Sequence, residues 1–115
     1  MSQYGDPSLF NEMNNLTNEL SESIKALKQY GLAKASAERE YQTIKSQTAL
    51  QMKTEGDAVT MIQLRLKGVP AVAKAMFDRD RAETMYEVAR ENINILKLHI
   101  RILDAQISRE WGSND

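Results

Sequence analysis

The chain contains no cysteine, which excludes disulfide bonds, zinc sites built from thiolates and cysteine nucleophiles together. It has five glycines and two prolines in 115 residues, so few positions are suited to turns or helix breaks. Most of the other residues, such as Ala, Leu, Glu, Lys, Gln, Arg and Met, are good helix formers. We therefore expect an almost entirely helical protein.

Two further absences concern targeting and charge. Residues 1–10 lack a basic segment followed by an apolar one, as a signal peptide would have, and no stretch approaches the roughly 20 apolar residues of a membrane span. Lys and Arg total 15 against 16 Asp and Glu, and the two signs are interspersed. This balance argues against a dedicated duplex-binding protein and against an acidic DNA mimic. A cytoplasmic protein that does not bind a membrane is the expectation.

The clearest pattern lies in residues 86–107, where apolar side chains recur at alternating steps of three and four. Such spacing is typical of a helix that packs lengthwise against another helix. This seam consists of Tyr86, Ala89, Ile93, Leu96, Ile100, Leu103 and Ile107. A second apolar row widens the stripe and indicates more than one neighbour. From this row and the sole tryptophan, we predict an interface with a protein partner and with further copies of the chain, formed by Met85, Val88, Ile95, Leu98, Ile102 and Trp111. Alternatively, Trp111 caps the seam against the start of the first helix, at Leu9, Phe10 or Met13.

The first helical stripe extends from Leu9 to Leu27 through Met13, Leu16, Leu20 and Ile24. Gly31 follows, and an internal glycine weakens a helix by roughly 1 kcal/mol relative to alanine. The apolar rhythm nevertheless continues beyond it. We favour two helices in near-continuity, or one rod kinked at Gly31, and keep a full reversal there as the alternative.

The strongest break is at Gly56, which suits a left-handed helix cap, while Asp57 suits the N-cap of a following short helix. That short helix offers Ile62, Leu64 and Leu66 for burial. Pro70 then stands where the first turn of the last helix is expected. The predicted helices cover residues 9–30, 32–54, 57–67 and 70–111, within a single domain and with a polar tail at 112–115.

These elements predict an all-α fold. Residues 9–54 and 70–111 form two arms of matched length, roughly 60 to 70 Å each. The expected architecture is a long antiparallel helical hairpin or coiled-coil-like bundle, with a short helix at the tip and with self-association.

No constellation of residues predicts an enzyme, a cofactor site or a metal site. The only histidine, His99, has no partner at metal-ligand spacing on its helix, so we interpret it as structural or solvent-facing. The acidic residues lack the Glu-x-x-His pairs of carboxylate metal sites and are spaced as a solvated helix face. They are Glu38, Glu40, Glu55, Asp78, Asp80, Glu83, Glu87 and Glu91.

A cluster of basic residues surrounds the predicted tip and is the candidate contact for phosphate groups or for an acidic surface. It consists of Arg65, Lys67, Lys74, Arg79 and Arg81. Residues 58–72 have the outline of a helix-turn-helix reader, but the second helix presents methyl groups where a recognition helix would present polar and basic side chains. A corner between two helices is the simpler interpretation.

Four segments carry a resemblance to a known group of proteins. They are residues 77–90, residues 94–98 and the ending Gln106-Ile107-Ser108-Arg109-Glu110-Trp111-Gly112, together with the Lys-Gly-x-Pro corner at 67–70. The chain resembles small helical proteins of unassigned function encoded by temperate phages and prophages of Gram-positive bacteria, often within early replication and recombination gene clusters. The resemblance implies the cytoplasm of an infected or lysogenic bacterium and supplies no catalytic residue.

Three functions are therefore kept open. The first is a non-enzymatic protein-interaction module that serves as an accessory to phage DNA replication or recombination. The second is an inhibitor of a host defence or replication enzyme, of the anti-CRISPR kind. The third is an accessory protein that binds nucleic acid through the basic tip.

Overall fold

The computed structural model describes residues 7–113. Within that range the chain forms three helices and no strand: α1 at Pro7–Thr54, α2 at Val59–Leu66 and α3 at Pro70–Ser113. The two long helices pack against each other, and the short helix lies between them in the sequence. The predicted all-α hairpin with a short intervening helix is confirmed.

Helix α1 continues through Gly31, so the interpretation of residues 9–54 as one rod is confirmed, whereas the boundary between residues 30 and 32 and the reversal are wrong. The ring of Tyr86 on α3 occupies the space beside Gly31: a Cβ atom at Gly31 would lie 3.5 Å from Tyr86 Cε2. Packing of this kind outweighs the weak helix propensity of a single glycine, because most helical stability in proteins comes from tertiary contacts.

The end of α1 is a Schellman motif, as the glycine at position 56 predicts. The amide of Gly56 donates to the Lys53 carbonyl and the amide of Asp57 to the Met52 carbonyl, each at 3.0 Å. Gly56 has a φ of 95°, in the left-handed region. The predicted N-cap role of Asp57 is wrong, because Ala58 occupies that position and makes no side-chain cap bond.

The corner between α2 and α3 follows local chemistry. The amides of Gly68 and Val69 donate to the carbonyls of Arg65 and Leu66, which closes α2, and Pro70 begins α3 as predicted. Ile62 and Leu66 are buried, whereas Leu64 is 76% exposed. The prediction that Leu64 contributes to the core is wrong. Leu64 is two residues from Ile62 and two from Leu66, so its side chain points away from the face that these two residues bury.

The described residues group into two compact units. The central unit is Gln29–Glu87, and the terminal unit comprises the described residues up to Lys28 and from Val88 onward. In the central unit all three helices contribute to one core, formed by Tyr41, Met52, Ile62, Leu66, Val72 and Ala75. In the terminal unit the buried side chains are Leu9, Ile93, Leu96 and Leu103. The single domain expected from chain length stays a prediction.

The seam of α3 is confirmed, because every one of its seven residues is buried or half-buried. The stripe of α1 is confirmed at Leu9, Met13, Leu16, Leu20 and Leu27. Ile24, however, is 50% exposed, and Ser23 takes the inward position. The strict alternation of four-residue and three-residue steps passes through Leu20, Ser23 and Leu27. The seam therefore contains the small polar Ser23, and Ile24 lies outside it.

Candidate protein interface

The second apolar row of α3 is exposed. In the terminal unit Val88 is 62% exposed, Ile95 44%, Leu98 46% and Ile102 57%, while the neighbouring Leu96 and Leu103 are each 5% exposed. One helix therefore has a buried seam and, beside it, an uncovered apolar face. We call Val88, Ile95, Leu98 and Ile102 the outer face.

Helical spacing explains why these side chains share one face. Val88, Ile95 and Ile102 are separated by seven residues, which is close to two helical turns. Two exposed polar residues, Asn92 and His99, occupy the intervening positions of the same three-four rhythm. The outer face thus has the spacing of a second packing seam, with polar residues at alternate positions.

A shallow groove adjoins the outer face within the terminal unit. It measures about 270 Å³ and is lined by Glu12 and Leu16 of α1 and by His99, Ile102 and Leu103 of α3. Its floor is aliphatic, and its polar edges are a carboxylate and an imidazole. His99 is exposed, which agrees with its solvent-facing interpretation. Among residues 7–113 no group of three or more His, Cys, Asp or Glu side chains is arranged to hold a metal ion.

Trp111 lies on a different side of α3 from the outer face. It follows Ile102 by nine residues, and at about 100° per residue this amounts to half a turn around the helix axis. Its ring packs edge to face on Phe10 of α1, with centroids 6.0 Å apart and an interplanar angle of 83°. The alternative in which Trp111 caps the seam against the start of α1 agrees with this contact.

Met85, the remaining residue of the predicted interface, belongs to the central unit. It is exposed and lines a second shallow groove, of about 330 Å³, together with Phe77, Asp80, Arg81 and Thr84. The central unit also exposes Leu50, Val59, Met61 and Leu64, which sequence reasoning did not single out as a surface. The outer face differs from these residues in its regular spacing, since Val88, Ile95 and Ile102 are seven residues apart.

Three of the five predicted anion-binding residues are already paired with carboxylates of this chain. Arg65 Nη1 lies 3.2 Å from Asp57 Oδ2, Lys74 Nζ lies 2.9 Å from Asp78 Oδ2, and Arg79 Nη2 lies 3.0 Å from Asp80 Oδ1. The hydrogen bond from Lys74 to Asp78 raises the pKa of Lys74 above its ordinary value. Within residues 7–113, Lys67 and Arg81 have no ion pair. The cluster therefore presents less uncompensated charge than its sequence suggests.

Arg79 has a structural position that sequence reasoning missed. Its guanidinium carbon lies 4.3 Å from the ring centroid of Tyr41, and its Nε lies 3.8 Å from Glu38 Oε2. Both partners belong to α1, so the side chain connects the two long helices of the central unit. The signal was present: Val72, Ala75, Arg79 and Ala82 follow the three-four spacing, which places Arg79 on the seam. Its pKa is raised by the hydrogen bond to Asp80.

No model of a protein family, no curated protein and no solved structure matches this chain. The resemblance to small phage proteins thus stays a prediction. Among the described helices, none is both long enough and apolar enough to span a bilayer.

Proposed function

We propose that this chain is a non-enzymatic protein-interaction module that acts through the outer face of α3. The observation that supports the proposal is a row of aliphatic side chains, each between 44% and 62% exposed, beside a seam that is already filled. Exposed apolar surface rimmed by polar residues commonly marks a site where another protein binds. The row has the spacing that helix partners recognise, with anchors every three, four or seven residues.

The setting proposed for this module is the cytoplasm of a Gram-positive bacterium that carries a temperate phage. There the partner would be a phage or host protein of DNA replication or recombination. This part of the proposal draws on the resemblance of roughly residues 20–112 to small phage proteins, which is most specific at residues 67–70 and 106–111. The basic cluster gives less support to nucleic-acid binding, because Asp57, Asp78 and Asp80 compensate three of its five cations.

The proposal is tested by affinity capture of the tagged chain from a phage-infected bacterial lysate, with captured proteins identified by mass spectrometry. Ile95→Asp places a charge in the middle of the outer face, and Ile24→Asp is its matched control. Both residues are isoleucines of the terminal unit with similar exposure, 44% and 50%. Neither substitution removes a core side chain, so both variants should fold.

We expect a replication or recombination protein to be captured by the native chain and by Ile24→Asp, and to be lost with Ile95→Asp. The inhibitor function would be favoured instead if a defence nuclease or a host polymerase factor were captured by the native chain and by Ile24→Asp but not by Ile95→Asp. Equal capture by both variants would show that the outer face is not the binding surface.

A further inference from the structure

We infer that the outer face is occupied by the same face of a second copy of this chain, with the two α3 helices antiparallel about a two-fold axis near Ile95. The inference rests on the proposed function, since it concerns the same surface, for which a second copy and a captured partner would compete. It depends on how apolar and charged side chains are arranged along α3 of the terminal unit.

Three of the four apolar residues of the outer face are arranged symmetrically about Ile95, while the position equivalent to the fourth, Leu98, is Asn92. Val88 precedes it by seven residues and Ile102 follows it by seven, which is about 10 Å in each direction along the helix. Rotation of one copy by 180° about an axis through Ile95 superimposes the Val88 position on the Ile102 position. Each valine then meets an isoleucine of the second copy, and the two Ile95 side chains meet at the axis. This is the self-complementary geometry of an isologous dimer.

The net charge of the exposed residues flanking Ile95 changes sign across it: Glu87, Arg90 and Glu91 sum to −1 before it, and Lys97 and Arg101 sum to +2 after it. Glu91 lies about 6 Å before Ile95, whereas His99 and Arg101 lie about 6 Å and 9 Å after it. All three side chains are exposed, and within the described residues neither Glu91 nor Arg101 has an ion pair. An antiparallel pair therefore brings the net-negative segment before Ile95 of each copy level with the net-positive segment after Ile95 of the other, with Glu91 level with His99.

A parallel pair has the opposite consequence. It would align Glu91 with Glu91 and Arg101 with Arg101, so each charge would face its own kind. The polar positions Asn92 and His99 also restrict the register, because a polar residue within an apolar seam penalises arrangements that bury it unpaired. Charge and symmetry thus select the antiparallel dimer over the parallel one.

Sedimentation equilibrium of the full chain, at about 1 to 300 µM, tests association, since mass action makes a dimer dependent on concentration. We expect a monomer–dimer equilibrium that Ile95→Asp weakens at least about tenfold and Ile24→Asp leaves unchanged. A chain that is monomeric at the highest concentration would overturn the inference. The proposed function would survive that result if Ile95→Asp still abolished capture of a partner.

The absence of native cysteine makes the orientation testable by single cysteine substitutions and a short bis-maleimide linker. Ile95→Cys should cross-link to itself. Val88→Cys and Ile102→Cys should each stay uncross-linked alone, since their equivalents would be about 20 Å apart, and should cross-link when mixed. Self-cross-linking of Val88→Cys and Ile102→Cys separately, without the mixed product, would overturn the antiparallel arrangement.

Charge exchange provides an independent test at low ionic strength, where exposed ion pairs are least screened. Glu91→Arg and Arg101→Glu should each weaken the dimer, and the double substitution should restore it. If the single substitutions leave the association constant unchanged, the charge pairing between copies is wrong.

Discussion

The central and terminal units differ in how many helices enclose their apolar side chains. In the central unit, α2 contributes Ile62 and Leu66 to a core in which Val72 is only 1% exposed. In the described part of the terminal unit only α1 and α3 are present, and the outer face of α3 stays exposed.

The difference follows from helix geometry. A helix that contacts one neighbour buries a single stripe of side chains, so a second stripe needs a third helix. The central unit obtains that third helix from its own chain. The terminal unit does not, within the residues described. The central unit also leaves large apolar side chains exposed, Phe77 at 65% and Leu64 at 76% among them. The interface is placed in the terminal unit because Val88, Ile95 and Ile102 recur there every seven residues along one helix.

The comparison predicts a large difference between two aliphatic truncations. Leu66→Ala removes a buried side chain of the central core and should lower the free energy of unfolding by about 2 to 4 kcal/mol. Ile102→Ala removes a side chain that is 57% exposed and should change it by no more than about 0.5 kcal/mol. Urea unfolding at low protein concentration, where association contributes least, measures both. Equal effects would mean that Ile102 is part of a core and that the comparison is wrong.

A smaller loss is expected from Arg79→Met, which keeps the aliphatic stem but removes the cation over Tyr41 and the ion pair to Glu38. Arg81→Met is the matched control, because Arg81 is exposed and has no ion pair among the described residues. The urea midpoint should fall for Arg79→Met by less than for Leu66→Ala, and should hardly move for Arg81→Met. If both variants behave alike, Arg79 does not link α1 to α3.

These residues also show what the sequence could and could not predict. The helices, the seam of α3, the cap at Gly56 and the start at Pro70 follow from periodicity and local backbone preferences, and they are confirmed. The apolar rhythm allowed one rod through Gly31 but did not decide between a rod and a boundary there. The packing of Gly31 against Tyr86, and that of Arg79 against Tyr41, each involve a side chain from the opposite long helix. Those contacts join residues about 40 to 55 positions apart, which a local pattern does not encode.

The candidate interface was predictable in part. The outer face appears in the spacing of the sequence, whereas its exposure depends on where α2 packs. Tryptophan is common at interfaces, which favours Trp111 as part of that face, although its spacing of nine residues from Ile102 places it on another side of α3. The apolar side chain of Ile24 favours the seam, whereas the strict three-four spacing selects Ser23.

The turn between α1 and α2 positions α2 in the central unit. Gly56→Ala puts a Cβ at a φ of 95°, which should lower the free energy of unfolding by about 1 to 2 kcal/mol. Gly56→Asn should be milder, since asparagine visits this region more readily. Thermal unfolding of the two variants checks the order. An alanine variant as stable as the native chain would indicate that the Schellman turn contributes little to seating α2.

The smallest effect, and the only gain, is expected at Gly31. A Cβ there would lie 3.5 Å from Tyr86 Cε2 and 3.8 Å from Cδ2, which is ordinary van der Waals contact. Gly31→Ala should therefore raise the free energy of unfolding by about 0.5 to 1 kcal/mol, because alanine loses less backbone entropy in a helix. Gly112→Ala in the last turn of α3 meets no atom within 4 Å and should gain less. Urea unfolding compares the two. A loss of stability in Gly31→Ala would mean that the Tyr86 ring has to shift, which would disturb its contact with Lys34, whose Nζ lies 4.8 Å from the ring centroid.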